Sequence, residues 1–218
     1  NKNRMTDTLD RYTISITKEE LSEMPRVEYN GVVRVVDTAA EMKKAVSILK
    51  KYDILGFDTE SKPTFKKGAT IHVSLIQIAA EDICFLFRIK KLKDIEPLRE
   101  LMESEQILKI GLSIHDDFNI MSHDYHFTPK GFVDLQKLVP KYKFSNTSLQ
   151  KIYAILFEER ISKSQQLSNW DAEELTDAQM KYAAIDAWSC IQIYKRLVHQ
   201  HFDPSSSKYK KNIPENEN

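Results

Sequence analysis

The chain has 218 residues, 41% of them hydrophobic and 29% charged, enough for one domain with a sizeable buried core and a well-solvated surface. Lys plus Arg (32) balances Asp plus Glu (32), which excludes binding carried by a general basic excess and leaves any hold on nucleic acid to local groups. Five Gly and seven Pro exclude a fibrous or loop-dominated chain, and no run approaches the ~20 apolar residues of a membrane helix.

Residues 1–30 are polar and charged and are expected as an amino-terminal extension, packed on the domain or partly mobile, with a short helix over 17–24. The start Asn1-Lys2-Asn3-Arg4-Met5 is followed by no apolar signal-peptide core, so a soluble, cytoplasmic protein is expected. Val32-Val33-Arg34-Val35-Val36 is a β-branched run and reads as a strand. Thr38 precedes a helix over 39–51 whose apolar positions include Met42, Val46 and Leu49. Residues 54–60 form a strand that begins apolar and ends in acids. Residues 71–79 and 83–87, joined by Ala80-Glu81-Asp82, read as a β-hairpin. A helix over 95–103, a strand over 107–113, a helix over 116–124 and a short strand over 132–134 follow. Asn146 or Thr147 is expected to cap a helix ending near Leu156. Thr176 with Gln179 fits a capping box for a final helix reaching about His201. The stretch 203–218 is poor in apolar residues and is expected as a flexible tail.

Strands interleaved with helices imply a three-layer α/β fold, and the hairpin makes the central β-sheet mixed. Cys84 and Cys190 lie far apart without a CxxC pattern, so neither structural zinc nor a disulfide is expected. Cys84 reads as a small core hydrophobe.

Three groups of acids could carry chemistry. In Phe57-Asp58-Thr59-Glu60 the two carboxylates are two residues apart on one strand, hence on one face. Like charges so placed repel unless a cation or proton lies between them, and oxygen donors of this kind suit Mg²⁺ or Mn²⁺. The bland alternative is a turn-capping Asp58 and a solvated Glu60. In Tyr182-Ala183-Ala184-Ile185-Asp186 the tyrosine and the acid share a helical face, and the small Ala183, Ala184 and Ala187 let that face lie close to a neighbour. Here a core aromatic and a surface acid would look the same. Asp116 and Asp117 follow a strand at the start of a helix, where acids also answer the helix dipole.

The chain order of these groups, DxE, then Asp at a strand–helix junction, then YxxxD, resembles the DEDD exonuclease superfamily. The tyrosine four residues before the last acid is similar to its tyrosine subclass, which includes ribonuclease D and the exonuclease domain of the Werner syndrome helicase. The likeness runs from about Val32 to Leu197 and extends to Val73-Ser74-Leu75-Ile76-Gln77-Ile78, Leu167-Ser168-Asn169-Trp170 and Leu175-Thr176-Asp177-Ala178-Gln179. It implies a ribonuclease-H-like exonuclease fold over residues 31–202. By position it makes Asp58, Glu60, Asp117 and Asp186 ligands of two divalent cations and Tyr182 a catalytic tyrosine. Asp117 is preferred to Asp116 because an apolar helical stretch, Phe118 to Met121, follows it; His115 and Asp116 are left a supporting role.

The implied reaction is two-metal-ion hydrolysis from the 3′ end of nucleic acid, on a single strand or a recessed end, releasing nucleoside 5′-monophosphates. Thr59, Leu75 and Ile76 are expected to pack against the terminal nucleotide. Trp170 reads as a structural anchor. Lys62, Lys66 and Lys67 are placed to touch phosphates or simply to be solvated, and the tail lysines Lys208, Lys210 and Lys211 as a charged end. Only a short stretch follows Leu197, where ribonuclease D-like enzymes carry a further helical domain, and this tilts the expectation toward DNA. Ribonuclease D-like RNA processing, a catalytically silent nucleic-acid-binding protein and a small-molecule phosphodiesterase are the alternatives.

Overall fold

The structure is a computed structural model and describes residues 11–214. Residues 1–10 of the expected extension and 215–218 of the expected tail lie outside the described residues.

Local sequence accounts for most elements. After β1 (Tyr12–Ile14), α1 (Lys18–Ser22) opens on a capping box in which the Thr17 hydroxyl accepts from Glu20 N and the Glu20 carboxylate accepts from Thr17 N. The β-branched run forms β2 (Val32–Val36). Thr38 caps α2 (Ala39–Leu49), which buries Met42, Ala45, Val46 and Leu49 along one stripe. Next come β3 (Ile54–Ser61), β4 (Val73–Ala79), β5 (Ile83–Phe87), α3 (Glu96–Met102), β6 (Leu108–Gly111), α4 (Ile114–Met121), β7 (Phe132–Asp134) and α5 (Leu135–Leu138). The next helix, α6 (Leu149–Phe157), is capped by Ser148 rather than by Asn146 or Thr147. Asn146 instead accepts from Ile16 N, tying the amino-terminal segment to the domain. The last helix, α7 (Asp177–Tyr194), has the expected Thr176–Gln179 capping box. It ends at Tyr194 and loosens into a π-helical turn over Lys195–His199.

Six strands form one sheet in the order β2-β5-β4-β3-β6-β7. The β3–β4 and β4–β5 pairs are antiparallel, whereas β2–β5, β3–β6 and β6–β7 are parallel, so the sheet is mixed. Alternation sorts its side chains into two cores. Leu55, Phe57, Ile76, Ile78, Phe85 and Phe87 pack with residues of α2, α3 and α4. Leu75, Ala79, Leu86 and Ile110 pack with α6 and α7 on the other face. The result is the three-layer α/β architecture.

The chain ends depart from a loose reading. Tyr12, Ile14, Ile16, Val27 and Tyr29 are buried against the α6–α7 side, so the described part of the extension is packed on the domain. The tail expectation needs correction over 203–214. There β8 (Lys210–Asn212) pairs antiparallel with β1, Tyr209 is buried, and Lys211 forms an ion pair with Glu20 at 2.8 Å. The composition of this stretch is too polar to order itself, but β1 offers it a strand edge to pair with. No described helix is long and apolar enough to cross a membrane. Cys84 and Cys190 are free and buried.

Candidate metal centre

The site begins with the pleat of β3. Leu55 and Phe57 point to the α2–α4 core, so Gly56, Asp58 and Glu60 face α7. The helix comes very near at Gly56: a Cβ built there would stand 1.9 Å from the Ala187 carbonyl oxygen. Ala183, Ala184 and Ala187 are wholly buried and small enough to permit that approach. One residue earlier on α7, Asp186 therefore lies over the end of β3. Ligand oxygens of Asp58, Glu60 and Asp186 all fall within 4.8 Å of one another.

Burial and mutual repulsion dominate the electrostatics. Burial, then the neighbouring Asp186 charge, pushes the Asp58 carboxyl well above the ordinary carboxylate range. Glu60 is raised by burial and by Asp58 and Asp186, partly offset by the Gln77 side chain, whose Nε2 donates to Glu60 Oε1 at 3.2 Å. Asp186 is raised by burial, against the lowering effect of nearby Glu60 and Tyr182. Its Oδ1 is buried without a hydrogen-bond partner among the described residues. A buried anionic oxygen without a partner, inside three converging carboxylates, is costly unless a cation completes it. The donors are all oxygen, which fits Mg²⁺ or Mn²⁺ and not a thiolate-seeking metal.

Asp117 arrives from the other side of the strand. Ser113 takes a left-handed conformation (φ 55°) at the end of β6, and Asp134 of β7 accepts from the backbone N–H groups of Ser113 and Ile114. This starts α4 two residues earlier than the sequence suggested and turns Asp117 inward, leaving His115 and Asp116 exposed. Phe118 stacks on Phe57 with ring centroids 5.6 Å apart, which fixes the helix against β3. Asp117 Oδ1 accepts from the Thr59 hydroxyl at 2.5 Å. Asp117 does not belong to the three-carboxylate cluster, but burial, followed by the Asp58 charge, raises its carboxyl too.

A cleft of about 310 Å³ opens over the acids, lined by Asp58, Thr59, Glu60, Tyr182 and Asp186 together with Leu112, Leu149, Gln150, Gln166 and Cys190. Burial and the surrounding carboxylates push the Tyr182 phenol far up, so it is a neutral hydrogen-bonding group. The buried Trp170 ring lies 5.9 Å from that of Tyr182 and backs it, in keeping with an anchor. Leu75 and Ile76 do not reach the cleft. They are wholly buried, one in each core, because β4 is a central strand covered on both faces. Gln77, Leu112, Gln150 and Gln166 were not singled out from sequence. Of these, Gln77 was within reach, since a hairpin register pairing it with Asp58 puts both on one face. A second cleft of about 480 Å³ lies on the far side of Tyr182, against Arg26, Tyr29, Gln165 and Lys181, and does not include the acids.

Comparison with known proteins agrees with this arrangement. The model of the 3′–5′ exonuclease family matches residues 33–201. Exonuclease 3′–5′ domain-containing protein 2 of Drosophila melanogaster is 30% identical over 176 residues, covering 79% of this chain and 30% of that protein. The bifunctional 3′–5′ exonuclease/ATP-dependent helicase WRN of Mus musculus is 32% identical over 184 residues, covering 80% of this chain and 13% of the relative. The chain thus spans less than a third of either relative. Escherichia coli ribonuclease D, an exoribonuclease, shares the fold with a TM-score of 0.69 at 20% identity, over 76% of this chain and 44% of that one.

Proposed function

Because the chain belongs to the 3′–5′ exonuclease family, we propose that residues 31–202 form an exonuclease domain that hydrolyses nucleic acid from its 3′ end and releases nucleoside 5′-monophosphates. The observation that carries the proposal is the convergence of the Asp58, Glu60 and Asp186 oxygens within 4.8 Å at the mouth of a cleft. Asp58, Glu60 and Asp186 would hold one divalent cation, Mg²⁺ or Mn²⁺. Asp117, which feels the Asp58 charge, would join Asp58 around a second. Bound there, such cations supply Lewis acidity and charge neutralisation at the scissile phosphate.

The chain's own groups do the rest. Tyr182, its phenol held up by burial, would orient the attacking water or a phosphate oxygen by hydrogen bonding. Thr59 holds Asp117 in place, and Leu112 and Leu149 give the terminal nucleotide an apolar wall. A cleft of about 310 Å³ is at the small end of ligand pockets, which suits one nucleotide and not a duplex. With equal numbers of basic and acidic residues, specificity comes from the geometry of a strand end and not from a basic surface.

The test is digestion of 5′-labelled DNA and RNA oligonucleotides of matched sequence with Mn²⁺, Mg²⁺ or EDTA, by wild type and Asp58→Ala. A metal-dependent ladder shortening from the 3′ end, lost in the variant, supports the proposal, and the relative rates on DNA and RNA give the sugar preference. Oligonucleotide binding without mononucleotide release would instead favour a silent binding protein.

A further inference from the structure

The loop joining β3 to β4 leaves β3 after Ser61, one residue beyond Glu60, and carries Lys62, Phe65, Lys66 and Lys67. Its feet are braced. Lys62 N donates to the Ser74 hydroxyl at 3.1 Å, and His72 pairs with Asp124 beyond α4 at 2.7 Å. Its tip stands clear of the body, since a Cβ on Gly68 would meet nothing within 4 Å. On that tip Phe65 is 88% exposed, the most exposed of the large apolar side chains among the described residues. Single exposed apolar residues are common, but a fully presented aromatic ring between lysines is the composition of a base-stacking platform.

The lysines divide into two kinds. Lys62 is near enough to Asp171 for its charge to reach that carboxylate, whose ion pair is with Lys90. Lys66 and Lys67 are exposed and form no ion pair among the described residues. Two unanswered cations beside an exposed ring match an anionic backbone carrying flat bases. Phe65 is five residues beyond Glu60, so it can lie at most about 17 Å from the acids. That reach covers the first few nucleotides of a strand whose 3′ end sits in the cleft.

We propose that Phe65 stacks on a base of the substrate strand a few nucleotides 5′ of the scissile bond, with Lys66 and Lys67 on the flanking phosphates. This rests on reading the cleft as an exonuclease site. The loop is then a second binding site that holds the strand without touching the reacting phosphate, and it takes any base, because every base offers a stacking face. Longer strands engage it and a dinucleotide does not.

The experiment compares wild type, Phe65→Ala and Phe65→Trp on a dinucleotide and a ten-nucleotide strand, with binding of the labelled strand followed by fluorescence anisotropy in EDTA. Phe65→Ala is expected to raise KM and weaken binding for the longer strand by roughly 5- to 150-fold. It should leave kcat and dinucleotide cleavage unchanged, and Phe65→Trp should restore the longer-strand values. One abasic nucleotide placed at the stacked position should impose the same penalty on wild type and add none to Phe65→Ala. Equal KM and binding for wild type and Phe65→Ala at every length would overturn the proposal while leaving exonuclease activity intact. Phe65-dependent binding by a wild type that cleaves nothing would uphold the platform and sink the exonuclease reading instead.

Discussion

Gly56 on β3 and Ala187 on α7 meet backbone to backbone, with the Ala187 carbonyl oxygen 1.9 Å from where a Cβ on residue 56 would stand. The contact sets how deeply the helix sits on the sheet. Asp58 lies two residues along the strand and Asp186 one residue back along the helix, so the depth of this contact sets the spacing of the carboxylates. Gly56→Ala must push the helix outward or bend the strand. Overpacking of this kind costs about 1–3 kcal/mol, and a backbone obstacle cannot rotate away as a side chain can. The variant should lose stability of that order in urea denaturation and lose most of its nuclease activity. A variant as stable and active as wild type would show that the contact does not set the site.

The buried carboxylates make stability depend on pH in a direction opposite to ordinary surface ion pairs. Asp58, Glu60, Asp117 and Asp186 are all raised above their unfolded values, so the folded state holds protons that the unfolded state has released. Their contribution is fully present below the unfolded carboxylate range and is lost as pH rises through the raised folded values. In EDTA the melting temperature should therefore fall as pH climbs from about 5 through neutrality. Saturating Mn²⁺ should flatten that slope. A metal-free protein whose Tm rises over the same window would contradict the electrostatic account.

Gln77 lies opposite Asp58 across the β3–β4 ladder, and its Nε2 donates to Glu60 Oε1 at 3.2 Å. Such supporting donors orient a ligand without touching the metal, and their loss weakens affinity about 10- to 100-fold. Gln77→Leu should keep the fold, since the side chain is wholly buried and of similar size, and should weaken Mn²⁺ binding by that factor in calorimetric titration. Unchanged affinity would reduce Gln77 to a filler of the core.

Much of this was legible because it is local. The Thr176–Gln179 capping box, the period-two spacing of Asp58 and Glu60 and the turn between β4 and β5 are each written within a few residues. What escaped is set by partners distant in sequence. Residues 210–212 look like tail until Tyr12–Ile14 supply an edge nearly two hundred residues earlier. Leu75 and Ile76 were expected at the nucleotide, but neighbours on both faces of β4 bury them. The choice of Asp117 over Asp116 rested on the apolar stretch that follows; its inward turn comes from Ser113 and Asp134, which no local pattern announces. The approach at Gly56 is likewise invisible without α7.

Lys109 gives a pH effect of the opposite sign, away from the acids. It is wholly buried in β6, its ammonium donating to the Ser104 carbonyl at 2.6 Å beside the Phe132 ring, and burial lowers its pKa to about 8. Above that value the folded protein has released a proton that the unfolded chain still holds, up to the ordinary lysine range. Wild type should therefore gain stability relative to Lys109→Met as pH rises from about 8 to 10. Denaturation of both proteins in EDTA across that window measures the difference, and parallel curves would mean that the amine stays charged inside.

Tyr182 separates two ways of activating water. A tyrosine acting as a base would need its phenol drawn down toward neutrality; here burial pushes it up. The remaining role is positional, a hydroxyl one helical turn before Asp186 directed into the cleft. Tyr182→Phe keeps the ring against Trp170 and removes only that hydroxyl, so melting should be unchanged. The rate should fall on the order of 10²-fold, the lower range for losing one positioned hydrogen-bonding group at a reaction centre. The acidic limb of the pH–rate profile should be the same in both proteins, because the carboxylates and bound metal set it. If the substitution moved that limb, the tyrosine would be exchanging protons during the reaction, and the reading of Tyr182 as a fixed donor would fail.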